Sequence, residues 1–205
     1  MNRPSPLQNR VTPFGDIRAL RGRGMIMGNR GILHDERYRI VRPWQCRRWI
    51  ACVIDFRGRR RTVMRPHSYT ELFFLDEAAA LSAGHRPCAE CRRADYKRFQ
   101  ALWRQEIGGP CDAESMDRVL HADRLDRRIK RTYRTSLKTL PDGTFVVVND
   151  LPALVLGDSL LLWSDAGYGR RLPRAPSRDV DVLTPRSIVA LLRAGYRPAI
   201  HPSAP

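Results

Sequence analysis

Apolar positions run almost unbroken through residues 49–56, WIACVIDF, with Asp55 the one charged residue. In an extended chain Ile50, Cys52, Ile54 and Phe56 share one face, and Trp49, Ala51, Val53 and Asp55 the other. β-Branched and aromatic side chains favour that conformation, so a strand is predicted. Arg57-Gly58-Arg59 reads as a turn, with residues 60–64 returning as a second strand that Pro66 ends. Residues 70–75, TELFFL, read as a third strand that leads into a short helix. Asp76 caps that helix, because its carboxylate can accept from free backbone N–H groups two or three residues on. Ala78, Ala79, Ala80 and Leu81 favour helix. Gly84 suits the left-handed position past the helix end, and Pro87 prevents resumption.

Residues 94–105 carry an apolar stripe, Tyr96, Phe99, Leu102 and Trp103, at helical spacing. Gly108-Gly109-Pro110 breaks it. Residues 114–133 read as one longer helix, with Met116, Val119 and Leu120 forming one apolar patch and Leu125, Ile129 and Tyr133 another. Leu140-Pro141-Asp142-Gly143 is a turn signal. Strands are predicted over 144–148, within 151–163 about a turn at Gly157-Asp158, and over 180–183. Thr184 is then the cap, and Pro185 the first residue, of a last helix that stops near Gly195. Residues 1–24, rich in proline and arginine, read as an extended or poorly ordered arm. Residues 25–33 read as an irregular approach to the first strand, and the terminal HPSAP as loose.

These elements predict an α+β fold. An N-terminal arm covers 1–39, a small sheet with helices 40–107, a helical connector 108–135, and a β-rich unit with a terminal helix 136–205. One internal echo stands out. Leu81-Ser-Ala-Gly-His-Arg-Pro-Cys88 and Leu192-Arg-Ala-Gly-Tyr-Arg-Pro-Ala199 agree at five of eight positions. A helix stop explains the shared residues. It does not explain the cysteines.

Composition adds chemistry to this frame. The chain has 205 residues, 42% of them hydrophobic, and a net charge of +16. Only Lys97, Lys130 and Lys138 are lysines among its 37 basic residues. Arginine forks match phosphate oxygens in pairs, so a nucleic-acid partner is expected, against the simpler reading of a solvated basic surface. No apolar run is long enough to span a membrane, and the first residues lack the apolar core of a secretory signal, so a cytoplasmic location is expected. Five cysteines in such a chain read as metal ligands, a reactive thiol or small buried residues. Cys88 and Cys91 have the C-x-x-C spacing of half a zinc site.

Phe73-Phe74, the alanine-rich helix, Ala83-Gly84-His85-Arg86-Pro87-Cys88 and Cys91-Arg92 together resemble the metal-binding N-terminal domain of Ada-type DNA repair proteins. The resemblance is close over residues 73–92 and loose from 49. It implies a small α+β domain holding zinc with four cysteines, the first of which accepts a methyl group from a methylated DNA phosphate. Cys88 and Cys91 match the family's second pair. The counterpart of the first pair is Met64-Arg65-Pro66-His67-Ser68, so Met64 stands where the nucleophile would be. A thioether cannot become a thiolate, and methyl transfer is not expected. His67, Cys52 and His85 are the candidates to complete a zinc site. Cys52 also reads as a buried strand residue, and His85, the counterpart of Tyr196, as a packing ring. Cys46, His34 and Cys111 have no supporting pattern.

The expectation is a zinc-binding protein that contacts a DNA or RNA backbone. Arg65, Arg86, Arg92 and Arg93 flank the knuckle, and Arg127, Arg128 and Arg131 line the second half of the helix expected over 114–133. The alternative is a metal-dependent enzyme on a nucleic acid or other anionic substrate, using Glu71, Asp76, His85 or Glu90. No serine-elbow, phosphate-loop or His-Glu-x-x-His motif supports it. A protein-interaction module is the third reading.

Overall fold

The computed structural model describes residues 3–59, 62–175 and 178–204. Strands β1 (Gln8–Val11), β2 (Ile17–Ala19), β3 (Ile26–Asn29), β4 (Ile50–Cys52), β5 (Leu72–Phe74) and β6 (Arg86–Pro87) form one sheet in the order β2-β1-β5-β3-β4-β6. β1 runs parallel to β5 and β4 parallel to β6, and the other pairs are antiparallel. Helix α1 (Glu77–Ser82) follows β5 and is buried along its whole length. Its alanines let it lie this close to the sheet.

Helices α2 (Arg93–Glu106) and α3 (Ala113–Arg124) come next, then a small hairpin, β7 (Leu125–Asp126) with β8 (Ile129–Lys130). A second, wholly antiparallel sheet follows. It consists of β9 (Tyr133–Ser136), β10 (Phe145–Val148), β11 (Leu151–Leu156), β12 (Ser159–Ser164), β13 (Gly167–Pro173) and β14 (Asp179–Val182), in the order β13-β12-β11-β10-β14-β9. Helix α4 (Arg186–Arg193) closes the chain. The fold is α+β. The largest core cluster takes Val11, Leu72 and Phe74 from the first sheet, Ala78–Ala80 from α1, and Phe145, Leu154 and Leu161 from the second. A second cluster joins α2, α3 and α4 through Phe99, Trp103, Leu120 and Leu192. Among the described residues no helix is long and apolar enough to cross a membrane.

Several expectations need correction. The N-terminal segment is no loose arm: β1, β2 and β3 belong to the first sheet and Val11 is buried. The strand expected over 49–56 ends at Cys52, and Ile54 is exposed. Arg60 and Arg61 of the expected return strand lie outside the described residues, and 62–64 form no strand. The helix expected over 114–133 stops at Arg124. Arg124 and Lys130 both turn inward, and six residues apart they would lie on different faces of a continuous helix. A tight turn with Arg127 at φ 56° brings them together instead. Thr184 does not cap α4: its Oγ1 accepts from Phe145 N at 2.8 Å. The C-terminal residues are tied down, with His201 N donating to Asp76 Oδ2 at 3.0 Å and Ser203 Oγ accepting from Tyr168 N at 2.8 Å.

Candidate metal centre

β4 and β6 build the site. Their parallel pairing sets Ala51 against Pro87, and Cys88 N donates to Ala51 O at 2.9 Å. Cys52 therefore lies beside Cys88, one residue past the paired positions on each strand. The chain then turns tightly, with Arg92 N donating to Cys88 O at 3.2 Å, and this returns Cys91 to the same point as α2 begins. The sulfurs of Cys52, Cys88 and Cys91 lie within 4.8 Å of one another. Tetrahedral zinc, with Zn–S near ~2.3 Å, sets sulfurs roughly 3.8 Å apart, so small rotamer changes close the set. Met27, Ile50 and Phe73 pack around the thiols.

Hydrogen bonds prepare this cluster for negative charge. Glu90 N donates to Cys88 Sγ at 3.4 Å. The Cys88 thiol is held down to about 5, first because the Cys52 thiol donates to it, with the backbone of Cys91 and Glu90 assisting against burial. Cys52 is pushed far up, first by that same hydrogen bond and then by burial. Burial also pushes Cys91 up. A thiophilic cation would replace the thiol protons of such a set. The set of three converging thiols suits a thiophilic metal ion.

The other proposed ligands lie elsewhere. His67 is exposed, and its Nε2 lies 3.4 Å from Glu36. His85 is buried, accepts from Arg30 Nε at 3.4 Å, and packs against Trp49 and Phe74. Its ring is a packing group, as the echo with Tyr196 suggests. His34 bonds Thr70 and the Arg65 carbonyl. Cys46 and Cys111 stand outside the cluster.

The arginines divide into two groups. Arg65, Arg93, Arg127, Arg128 and Arg131 are exposed. Arg86 and Arg92 are not free for phosphate. Arg86 is buried and forks onto Asp117 at 2.9 and 2.7 Å, and Arg92 pairs with Glu77 at 2.8 Å and Asp95 at 2.7 Å. A charge inside the protein needs a partner, and these have found theirs.

The acids named for catalysis have structural duties. Glu71 accepts from Met64 N at 2.7 Å. Asp76 accepts from Ala79 N at 2.8 Å as the helix cap. Glu90 pairs on the surface with Arg59 at 3.2 Å. Sequence reading missed a second charged group, Arg30, Arg124 and Lys130 around Trp49. Arg30, Trp49 and the 124–130 hairpin are far apart in the chain, and no local pattern links them.

No protein-family model, no curated protein and no solved structure matches this chain.

Proposed function

We propose that this chain is a zinc-binding protein that holds nucleic acid by its phosphate backbone. The convergence of Cys52, Cys88 and Cys91 carries the metal half of this reading. Soft thiolates select zinc over magnesium or calcium. Bound there, zinc would cross-link β4 to the turn before α2 and contribute its binding free energy to folding. Cys52 takes the place that the Ada-type likeness would assign to the turn at residues 64–68. Met64 is fully buried and carries a thioether, so methyl transfer is not part of the proposal.

Three protein ligands leave a fourth position for water or an outside donor, which is the ligand number of an open site. Hydrolytic use of such a site needs a proton-transfer group beside it. Among the described residues no carboxylate or imidazole joins the cluster, which favours binding over catalysis. The nucleic-acid half rests on the net charge of +16 and on exposed Arg65, Arg93, Arg127, Arg128 and Arg131. Such contacts position a backbone without reading its sequence.

Elemental mass spectrometry on protein purified without chelators tests the first half. About one zinc per chain is expected, lost in Cys88→Ser/Cys91→Ser and weakened in Cys52→Ser. Protein free of metal would overturn it. Titration with single- and double-stranded nucleic acid over a salt series tests the second. Log affinity should fall linearly with log salt, by ~0.7 to 0.9 per phosphate neutralised. Affinity indifferent to salt would reject backbone binding.

A further inference from the structure

A cavity of about 380 Å³ opens between the β1–β2 turn, the segment at residues 40–44 and the β7–β8 hairpin. Arg30, Arg124 and Lys130 line it from within. Arg30 and Arg124 are at most 2% exposed, and their guanidinium carbons lie 4.0 and 3.9 Å from the centre of the Trp49 ring. Unlike Arg86 and Arg92, neither has a carboxylate within ion-pair distance among the described residues, and nor does Lys130. Their partners are neutral. Arg30 Nη1 donates to Gly15 O at 3.0 Å, and Arg124 Nη1 to Gly84 O at 2.8 Å. Lys130 Nζ donates to Ser82 O. His121 Nδ1 lies 3.0 Å from Arg124 Nη2, and burial with the nearby Arg124 and Arg47 charges keeps that ring neutral, down to about 4.

This accounting leaves donors over. Arg30 Nη2 and Arg124 Nε are buried without a hydrogen-bond partner. So is the indole N–H of Trp44, which lines the same cavity. Buried cationic donors are costly unless something accepts from them. The one acid on the wall, Asp16, is exposed and pairs with Arg18 at 3.1 Å. Arg42 and Arg128 also line the wall, so five basic side chains face that one carboxylate and the cavity favours a multiply charged anion. A carboxylate or an internal phosphodiester brings one negative charge. A phosphate monoester brings nearly two at neutral pH, with three acceptor oxygens. The volume is that of a small-molecule site, larger than inorganic phosphate requires. Phe14 and Trp44 give its walls flat aromatic surface of the kind on which a base stacks, and Ile40 adds apolar surface beside them.

We propose that this cavity binds a nucleotide through a terminal phosphate monoester, either as a free mononucleotide or as the phosphorylated end of a strand. Phosphate oxygens accept from Arg30, Arg124 and Lys130, and the nucleoside lies against Phe14 and Trp44. Arg42 and Arg128 at the cavity wall meet a following phosphate. This goes beyond backbone binding by exposed arginines and does not depend on the metal.

Calorimetric titration of the full chain tests it with five probes: adenosine, AMP, inorganic phosphate, and one single strand with either a 5′-phosphate or a 5′-hydroxyl. AMP or the phosphorylated strand should bind about tenfold or more tighter than its phosphate-free counterpart. Binding of both points to either source, and binding of the phosphorylated strand alone points to strand ends. The hydroxyl strand keeps every internal phosphate, so it measures backbone binding separately. Lys130→Met should abolish the preference. Because a cavity variant can also disturb folding, exposed Asp16→Asn is the second: removing the lone negative charge should tighten AMP severalfold. Equal affinity for phosphorylated and phosphate-free probes, inorganic phosphate matching AMP, or no response to Asp16→Asn would each overturn the proposal.

Discussion

Asp76 shows how one side chain can have both a local and a distant role. The local role, capping α1 through Ala79 N, follows from sequence alone. The distant one does not: Oδ2 also accepts from Tyr168 OH at 2.6 Å and from His201 N at 3.0 Å. Burial pushes its pKa up, and these donors oppose that. Asp76→Ala should cost about 2–4 kcal/mol, a lost cap plus buried donors left unpaired. Tyr168→Phe should cost about 1 kcal/mol, and the double variant less than the sum, as read by urea unfolding. Strict additivity would show that the two do not share a bond. Lys130 gives a pH prediction. Burial, reinforced by Arg30 and Arg124, brings its ammonium down to about 7, whereas an unfolded chain titrates near ~10.4. Between those values the unfolded chain holds the extra proton, so stability rises with pH across that window and is least below it. Lys130→Met should flatten the rise by up to about 1.4 kcal/mol per pH unit, measured from urea midpoints between about pH 7.5 and 10. An unchanged slope would mean that the ammonium is solvated.

The two echoing segments behave as the same helix stop. Gly84 and Gly195 have φ of 89° and 104°. His85 N donates to Ala80 O, and Tyr196 N to Leu191 O, both at 2.9 Å and both reaching back five residues. This closure satisfies carbonyls at the helix end. The surroundings differ. A methyl at Gly195 meets nothing within 4 Å, whereas one at Gly84 would meet Arg124 Cδ at 2.5 Å. Gly195→Ala should therefore cost about 1–2 kcal/mol, the left-handed penalty alone. Gly84→Ala should cost more, since it also displaces Arg124. Thermal melts of the two variants decide this, and equal losses would show that the Arg124 contact is slack. The break after α3 was not readable in the same way. Residues 114–133 contain no glycine or proline, and their apolar spacing suits a helix throughout. The inward turn of Arg124 and Lys130, toward groups remote in sequence, ends it.

Across the whole molecule, the boundaries suggested by the predicted elements do not divide the packing. Val11, Phe74, Ala79, Phe145 and Leu154 share one cluster, so the first sheet, α1 and the second sheet bury one another. Glu77 in α1 accepts from Tyr196 OH at 2.7 Å and Ala199 N at 3.0 Å, joining the two halves again. Unfolding should be a single transition, with tryptophan fluorescence and far-ultraviolet circular dichroism giving one midpoint. Two separated transitions would show that the halves are independent despite the shared core.

By itself the sequence determined what depends on a few neighbouring residues. It specified the Asp76 cap, the stops at Gly84 and Gly195, the stripe of α2, the turns at Gly143 and Gly157, and the C-x-x-C spacing. In each case the backbone groups being satisfied lie within one or two turns of chain. The tertiary structure decided whatever needs partners from remote segments. The β4–β6 pairing, not spacing, brings Cys52 to Cys88 and Cys91. Asp117, 31 residues away, turns Arg86 from a phosphate contact into half of a buried ion pair. Arg30 and Arg124 face the cavity without such a partner. An arginine reads the same in sequence in all these places. Its charge state and availability follow from which distant groups burial sets beside it.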